Sequence, residues 1–297
     1  MKNNLSLVIY STIFLSLCSY LSSLSWVCSL IEHFRHMYLL IGLICLCIFL
    51  LKKKYTYAFM CVICISLNAS VIFTFIDFLD SSFEIKNFPH SISFHNIHSG
   101  NDSKIYSQKL KEAVSSKIIA FFEVNSEMSN ALEISLENMN PIFLDPSEDN
   151  YGWNIFSSLN ISKAKSFKLE DTVFVRSFYV SDWQATFFLI HLPPPIFSDL
   201  WEIQTSALRW MSDEIQKTDG KILIAGDFNL TPWSYQYRGF RKKLLKKNIR
   251  SVTKLFLPSW PSTLPILPID HVFSNFDIFV KKISSLGSDH YLHSIHF

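Results

Sequence analysis

The run Lys221-Ile-Leu-Ile-Ala-Gly-Asp-Phe-Asn229 ends an apolar stretch on a carboxylate, Asp227, followed two residues later by an amide, Asn229. A carboxylate placed there can take or orient a proton, while the neutral amide donates to a nearby anion. The same letters also suit an ordinary Gly-Asp turn whose side chains satisfy their own backbone. Two further segments, Ile269-Asp-His-Val272 and Gly287-Ser-Asp-His290, each set a carboxylate beside an imidazole. A carboxylate that accepts from one ring nitrogen fixes the tautomer and raises the basicity of the other. Phe121-Phe-Glu-Val124 places a lone acid, Glu123, in an apolar run. An unpaired carboxylate is costly there and calls for a metal or cation partner. Phe94-His-Asn-Ile97 and Ile190-His-Leu-Pro-Pro-Pro195 end two more apolar runs on polar groups, Asn96 and His191.

These groups need strands to deliver them to a common edge. Ser91–Ile97, Lys117–Val124, Asp171–Val180, Ala185–His191 and Lys221–Ala225 read as strands, as do His271–Phe273, Phe276–Ile283 and Ser294–Phe297. Lys104–Ser116 and Phe197–Lys217 carry helical spacing, the latter through Leu200, Ile203, Leu208, Met211 and Ile215. Strands interleaved with helices predict an α/β or α+β layered domain over residues 81–297, with no internal repeat or linker.

Residues 1–80 are of another kind. Their only charged side chains are Lys2, Glu32, Arg35, Lys52, Lys53, Lys54, Asp77 and Asp80. Three uncharged stretches lie between them, Leu5–Ile31, Met37–Leu51 and Tyr55–Ile76, and are expected to form three transmembrane helices. The short middle one spans if Arg35 and the lysines snorkel. A signal peptide is the alternative for the first stretch, which is long and lacks a clear small-residue cleavage site. Lys2 and the Lys52–Lys54 triplet belong on the cytoplasmic side, so the helices run outward, inward and outward. Residues 81–297 then lie on the non-cytoplasmic (periplasmic or extracellular) face.

A chain that is 49% hydrophobic and only 18% charged is neither disordered nor collagen-like. A formal net charge of +2 excludes a strongly basic nucleic-acid coat. All six cysteines fall in the apolar stretches, Cys64 being the last, so residues 81–297 contain no thiol. Cys61 and Cys64 have redox-pair spacing but read as helix filler. Basic residues crowd between Arg238 and Lys254. They suit phosphates of nucleic acid or anionic lipid, or equally the solvated face of a helix with Phe240, Leu244, Leu245 and Ile249 inward. His95 and His98 flank Asn96 and could touch substrate, whereas His271 reads as packing.

Taken in order, Asn96, Glu123, His191, Gly226–Asn229, Ile269–His271 and Ser288–His290 resemble the endonuclease/exonuclease/phosphatase superfamily of DNase-I-like fold. Pro258-Ser-Trp-Pro261 is similar to the "TWP" stretch of bacterial members with three N-terminal membrane helices. The chain departs from the pattern at Phe122, where the family has Gln, at Ser157-Ser158, which lacks an Arg, and at Ile190. The resemblance implies a four-layer β-sandwich flanked by helices, after an anchor over residues 1–80. It implies hydrolysis of a phosphodiester or phosphomonoester, in nucleic acid or phospholipid, by direct water attack. Mg²⁺, or Mn²⁺ in its stead, would be held by Glu123, Asn96 and Asp289. Asp227, Asn229, His290, Asp270 and His191 would do the catalytic work, with either Asp227 or His290 as base. The membrane and the phosphoester substrate are the expected partners, with no obligate protein partner. A catalytically silent binding or scaffold domain of the same fold is the alternative.

Overall fold

A computed structural model describes residues 4–73, 88–169, 172–252 and 258–297. The expected boundary at residue 80 falls outside them, as do Asp77, Asp80, Asp171 and Lys254. The chain forms two compact units. One comprises Met1–Glu84 with Pro194–Glu202 and Leu230–Gly239, and the other comprises Ile85–Pro193, Ile203–Asn229 and Phe240–Phe297.

In the first unit, helices α1 (Asn4–Cys18), α2 (Trp26–Glu32), α3 (Arg35–Leu51) and α4 (Tyr55–Phe73) follow one another, with a 3₁₀ turn over Ser19–Leu21. The expectation of one helix through Leu5–Ile31 is corrected. The run breaks after Leu21 and restarts at Trp26, beyond an extended Ser25 (φ −153°). Ser22, Ser23 and Ser25 crowd this break, and serines compete with a helix for backbone hydrogen bonds. Two helical stretches, Asn4–Leu21 and Tyr55–Phe73, are long and apolar enough to cross a membrane. A third candidate is the pair α2 and α3, bent by 53°. Asn68 knits the bundle by donating to Ser16 Oγ and Cys64 O, both at 2.8 Å. All six thiols are free.

The second unit is a two-sheet sandwich. Its elements in chain order are β1 (Ser91–Asn96), α5 (Ser103–Ala113), β2 (Ile118–Phe122), α6 (Ser126–Ser135), β3 (Asn140–Asp145), β4 (Trp153–Ser157), β5 (Ile161–Leu169), β6 (Thr172–Val180), β7 (Ala185–His191), α7 (Ser198–Gln216), β8 (Lys221–Asp227), α8 (Tyr235–Leu244), β9 (Arg250–Ser251), β10 (Asp270–Ser274), β11 (Phe279–Lys282) and β12 (His293–His296). The first turns of α7 and α8 belong to the other unit. One sheet runs β11-β12-β1-β2-β4-β3 and the other β5-β6-β7-β8-β10-β9. Phe94, Phe122 and Trp153 of the first sheet meet Phe178, Phe187 and Leu223 of the second in the central core. Tyr106, Leu110, Met128 and Leu132 of α5 and α6 pack on Ile119, Phe121 and Phe156, the other face of the first sheet. On the second sheet, Trp210 of α7 meets Phe167, and Phe240 of α8 meets Phe273. Strand β2 is buried on both faces, which is why it reads as an unbroken apolar run.

Register places the chemistry. Parallel pairing of β7 with β8 sets His191 opposite Asp227, and antiparallel pairing of β10 with β8 sets Asp270 opposite the same residue. Parallel pairing of β1 with β2 sets Asn96 opposite Phe122, one residue before Glu123. The β7–β8 pairing depends on Gly226. Its φ is +141°, and an added Cβ would stand 2.0 Å from Ile190 O. In the basic segment Phe240, Leu244 and Ile249 are buried, but Leu245 is exposed, in a 3₁₀ turn where helical periodicity no longer applies. Gly226→Ala should therefore destabilise the fold by about 3 kcal/mol or more, read as a lowered denaturation midpoint in urea.

Candidate active site

Strand ends of both sheets supply the site. His290, in the turn before β12, lies between two carboxylates: its Nδ1 is 3.0 Å from Asp270 Oδ2 and its Nε2 is 3.6 Å from Asp227 Oδ2. All three side chains are buried. Burial by itself would lower the His290 pKa, but Asp270 and Asp227 outweigh it and push it up to about 10. Burial would raise Asp270, yet the adjoining His290 cation and its hydrogen bond hold that carboxyl well below the usual range. Asp227 is raised to about 6, because burial there exceeds the pull of His290. The imidazole is thus a cation and Asp270 its permanent counterion, while Asp227 titrates close to neutrality.

The first-sheet side of the site is joined to this trio through one amide. Asn96 Nδ2 donates to Glu123 Oε1 at 2.8 Å and to Asp227 Oδ2 at 3.1 Å. His191 Nε2 lies 3.5 Å from the same Glu123 oxygen, and its ring is stacked on Phe122 with centroids 5.4 Å apart. Burial alone would raise Glu123, but the bonds from His191 and Asn96 bring it below its ordinary value. Glu123 Oε2 lies 3.8 Å from the exposed His98 imidazole. Asn229 donates its backbone N–H to Asp227 Oδ1 (2.9 Å) and its side-chain amide to Leu192 O (2.7 Å). Asp289 accepts from Trp260 Nε1 at 2.8 Å. It follows Ser288, whose hydroxyl donates to Asn96 O at 2.7 Å.

Glu123 (φ 58°), Asn229 (φ 49°) and His98 (φ 63°) all take left-handed backbone conformations. Non-glycine residues reach that region at a cost of about 1–3 kcal/mol each, which local contacts must offset. For Glu123 and Asn229 those contacts are the hydrogen bonds just described, and for His98 the bond from its backbone N–H to Asn96 Oδ1 at 3.1 Å.

The described His, Asp, Glu and Cys groups bring three metal-competent ligands within 4.8 Å only at Asp227, Asp270 and His290. Both nitrogens of a protonated His290 face carboxylates there, so that trio is an ion-pair network and a poor cation cage. Glu123 offers the better donor, a hard oxygen accepting no hydrogen bond among the described residues, with the Asn96 amide alongside.

Several supporting groups have no signature in the sequence. Gln204, fully buried on α7, donates to Pro193 O at 2.9 Å and to Asn229 O at 3.4 Å, tying together the two segments that follow β7 and β8. Ser259 Oγ accepts from Asp270 N at 3.2 Å. His95, placed beside Asn96 in the sequence, is buried; its Nε2 is 3.2 Å from His290 O and its Nδ1 2.6 Å from the Tyr106 hydroxyl. His98, by contrast, is exposed and lies beside Glu123. His271 is buried against Phe228 and Phe273.

The family model described as Endonuclease/Exonuclease/phosphatase family matches residues 95–290. An AP endonuclease from Archaeoglobus fulgidus shares the fold with a TM-score of 0.56 at 16% identity, covering 70% of this chain and 99% of its own. The 3′ phosphatase NExo from Neisseria, bound to product DNA hairpin, gives 0.54 at 16% identity, with 70% and 99% covered. A mannosyl-6-phosphatase from Bacteroides thetaiotaomicron gives 0.52 at 13% identity, with 70% and 98% covered. No curated protein matches the chain. The family match takes in strands of both sheets and every residue of the site, and the chain belongs to the Endonuclease/Exonuclease/phosphatase family.

Proposed function

We propose that the chain is a membrane-anchored, divalent-metal-dependent phosphoesterase. It cleaves a phosphodiester or phosphomonoester, of a nucleic acid or a phospholipid head group, by direct attack of water. The observation that carries this reading is the buried Asp270–His290–Asp227 array, joined through Asn96 to the solvent-reaching carboxylate of Glu123. Family membership supports it, as do a nuclease and two phosphatases that share the fold.

Glu123, Asn96 and Asp289 would hold Mg²⁺ or Mn²⁺, which when bound neutralises charge developing on the phosphoryl oxygens. The protein's own groups divide the remaining work. Asp227, with a pKa of about 6, is ionised at neutral pH and is the group suited to take the proton of the attacking water. His290 keeps its proton to about pH 10 and serves as a cationic donor to the phosphoryl group, so the base is Asp227. Asp270 fixes the imidazole through Nδ1. Asn229 holds the Asp227 carboxylate from its backbone N–H, and His191 steadies Glu123 while offering a donor to phosphate. The anchor is residues 1–80 and the catalytic domain residues 81–297. The exposed Lys52–Lys54 turn lies in the cytoplasm and the catalytic domain on the opposite side.

Release of phosphate or nucleotide from DNA, RNA and phospholipid vesicles, with and without Mg²⁺, tests the activity. Glu123→Gln should lower the rate at a fixed Mg²⁺ concentration by about 10²-fold or more while leaving the unfolding midpoint nearly unchanged. An unaltered Mg²⁺ response would remove Glu123 from the metal site. A reporter fused after Phe297 should be active only outside the cytoplasm, and a cytoplasmic signal would reverse the orientation.

The pH profile follows from the signs of the shifts. Asp227 must be ionised, so kcat/KM should climb to a plateau above about pH 6. His290 must be protonated, so the plateau should fall off near pH 10. Asp270→Asn removes the counterion and should move the alkaline limb to lower pH, with kcat lower by about 10²- to 10⁴-fold. Losses that add in the double variant with His290→Ala would show the two acting independently.

A further inference from the structure

The basic segment at the end of α8 has no part in the site described above. Between Asp227 and Asp270 the sequence has eight basic residues and no acidic one. Two of the cations are already engaged by the second unit. Arg241 is buried, and Lys247 donates to Thr218 O at 3.1 Å and lies 3.2 Å from Asp219 Oδ1. Lys242, Lys243, Lys246 and Arg250 are exposed, and no ion pair engages them among the described residues. Leu245, 45% exposed, stands in their midst. Phe240, Leu244 and Ile249 are buried beneath them, so the end of α8 and the 3₁₀ turn after it form a fixed platform.

Register separates this patch from the catalytic groups. Lys247 is tied to Thr218 and Asp219, just before β8 begins, whereas Asp227 ends that strand. Arg250 of β9 pairs opposite Ser274, at the end of β10 away from Asp270. A strand advances about 3.3 Å per residue, so the length of β8 puts roughly 20 Å between patch and site. Cations at that distance do not touch a phosphoryl group held at Asp227 and His290. They serve a second contact.

Phosphates of nucleic acid and of anionic lipid both attract lysine and arginine, and the apolar member of the patch decides between them. Surfaces that hold single strands offer exposed aromatic rings for bases to stack on, but Phe240 is buried here. A leucine ringed by cations suits the boundary between head groups and acyl chains, where the leucine enters and the lysines reach back to phosphate. The chain also carries helices long and apolar enough to cross a membrane. Such an anchor keeps a lipid surface at high effective concentration, so a weak contact suffices. We propose that Lys242, Lys243, Leu245, Lys246 and Arg250 form a docking surface for anionic phospholipid, distinct from the catalytic site. The inference is independent of hydrolysis and uses only the membrane anchor of the reading above.

The test places the full chain in lipid nanodiscs of phosphatidylcholine, alone or with about one-third phosphatidylglycerol, and measures lysine acetylation by mass spectrometry. Lys242, Lys243 and Lys246 should react at least about threefold more slowly in the anionic discs, and the difference should vanish in about 0.5 M salt. Lys168, exposed on β5 at the opposite edge of the same sheet, should react equally in both. Leu245→Asp should return Lys243 and Lys246 to the rates seen in phosphatidylcholine. Equal rates in the two discs for the parent chain overturn the inference, and so does equal slowing at Lys168. Undiminished protection in Leu245→Asp overturns the lipid assignment, because a purely ionic contact has no need of the leucine. Protection by a short DNA duplex in phosphatidylcholine discs, with none from phosphatidylglycerol, assigns the patch to nucleic acid instead. A chain that does not enter the discs refutes the anchor, and with it the choice of lipid.

Discussion

Three ionisable groups buried in contact are the constraint on which the site is organised. Taking a charge out of water costs several kcal/mol, and Asp227, Asp270 and His290 meet that cost by facing one another. The arrangement is asymmetric. Asp270 holds the nearer bond and stays anionic, whereas Asp227, at 3.6 Å from the ring, is left able to exchange a proton. Everything around the trio keeps that asymmetry. The antiparallel register of β8 with β10 sets the two acids side by side, and Ser259 and Asn229 each bond to only one of them.

Much of this was legible from residue order, for a physical reason. Strands buried on both faces, such as β2, β7 and β8, must be apolar throughout, so their polar ends stand out. Glu123, His191 and Asp227 are conspicuous because each ends or follows such a run. The remaining strands hide. Strand β5 carries Lys163, Lys165 and Lys168 on an exposed edge, where lysine discourages pairing with other chains, and so it shows no apolar alternation. Strands β3 and β4 and helix α6 are short pieces with Asn, Ser and Asp among their apolar residues.

Side-chain partners far apart in the chain were the least legible. Gln204 looks like any polar residue on an amphipathic helix, and only the folded chain puts two carbonyls in front of it. Glu32 and His33 resemble a polar loop between two apolar helices, yet their partners lie beyond residue 230. The serine-rich break after Leu21 likewise hides in a stretch with no charge to mark it.

The first unit is assembled from three pieces of chain, the last of them ending at Gly239. During synthesis its helices are therefore made long before their final partners exist. Until Thr231 and Tyr235 have been made, Glu32 and His33 have none of the cross-chain bonds that later bury them. Contacts so distant in sequence form late, because a long loop must close first. The turn that carries Glu32 and His33, made long before its partners, is thus among the last parts of the first unit to be finished.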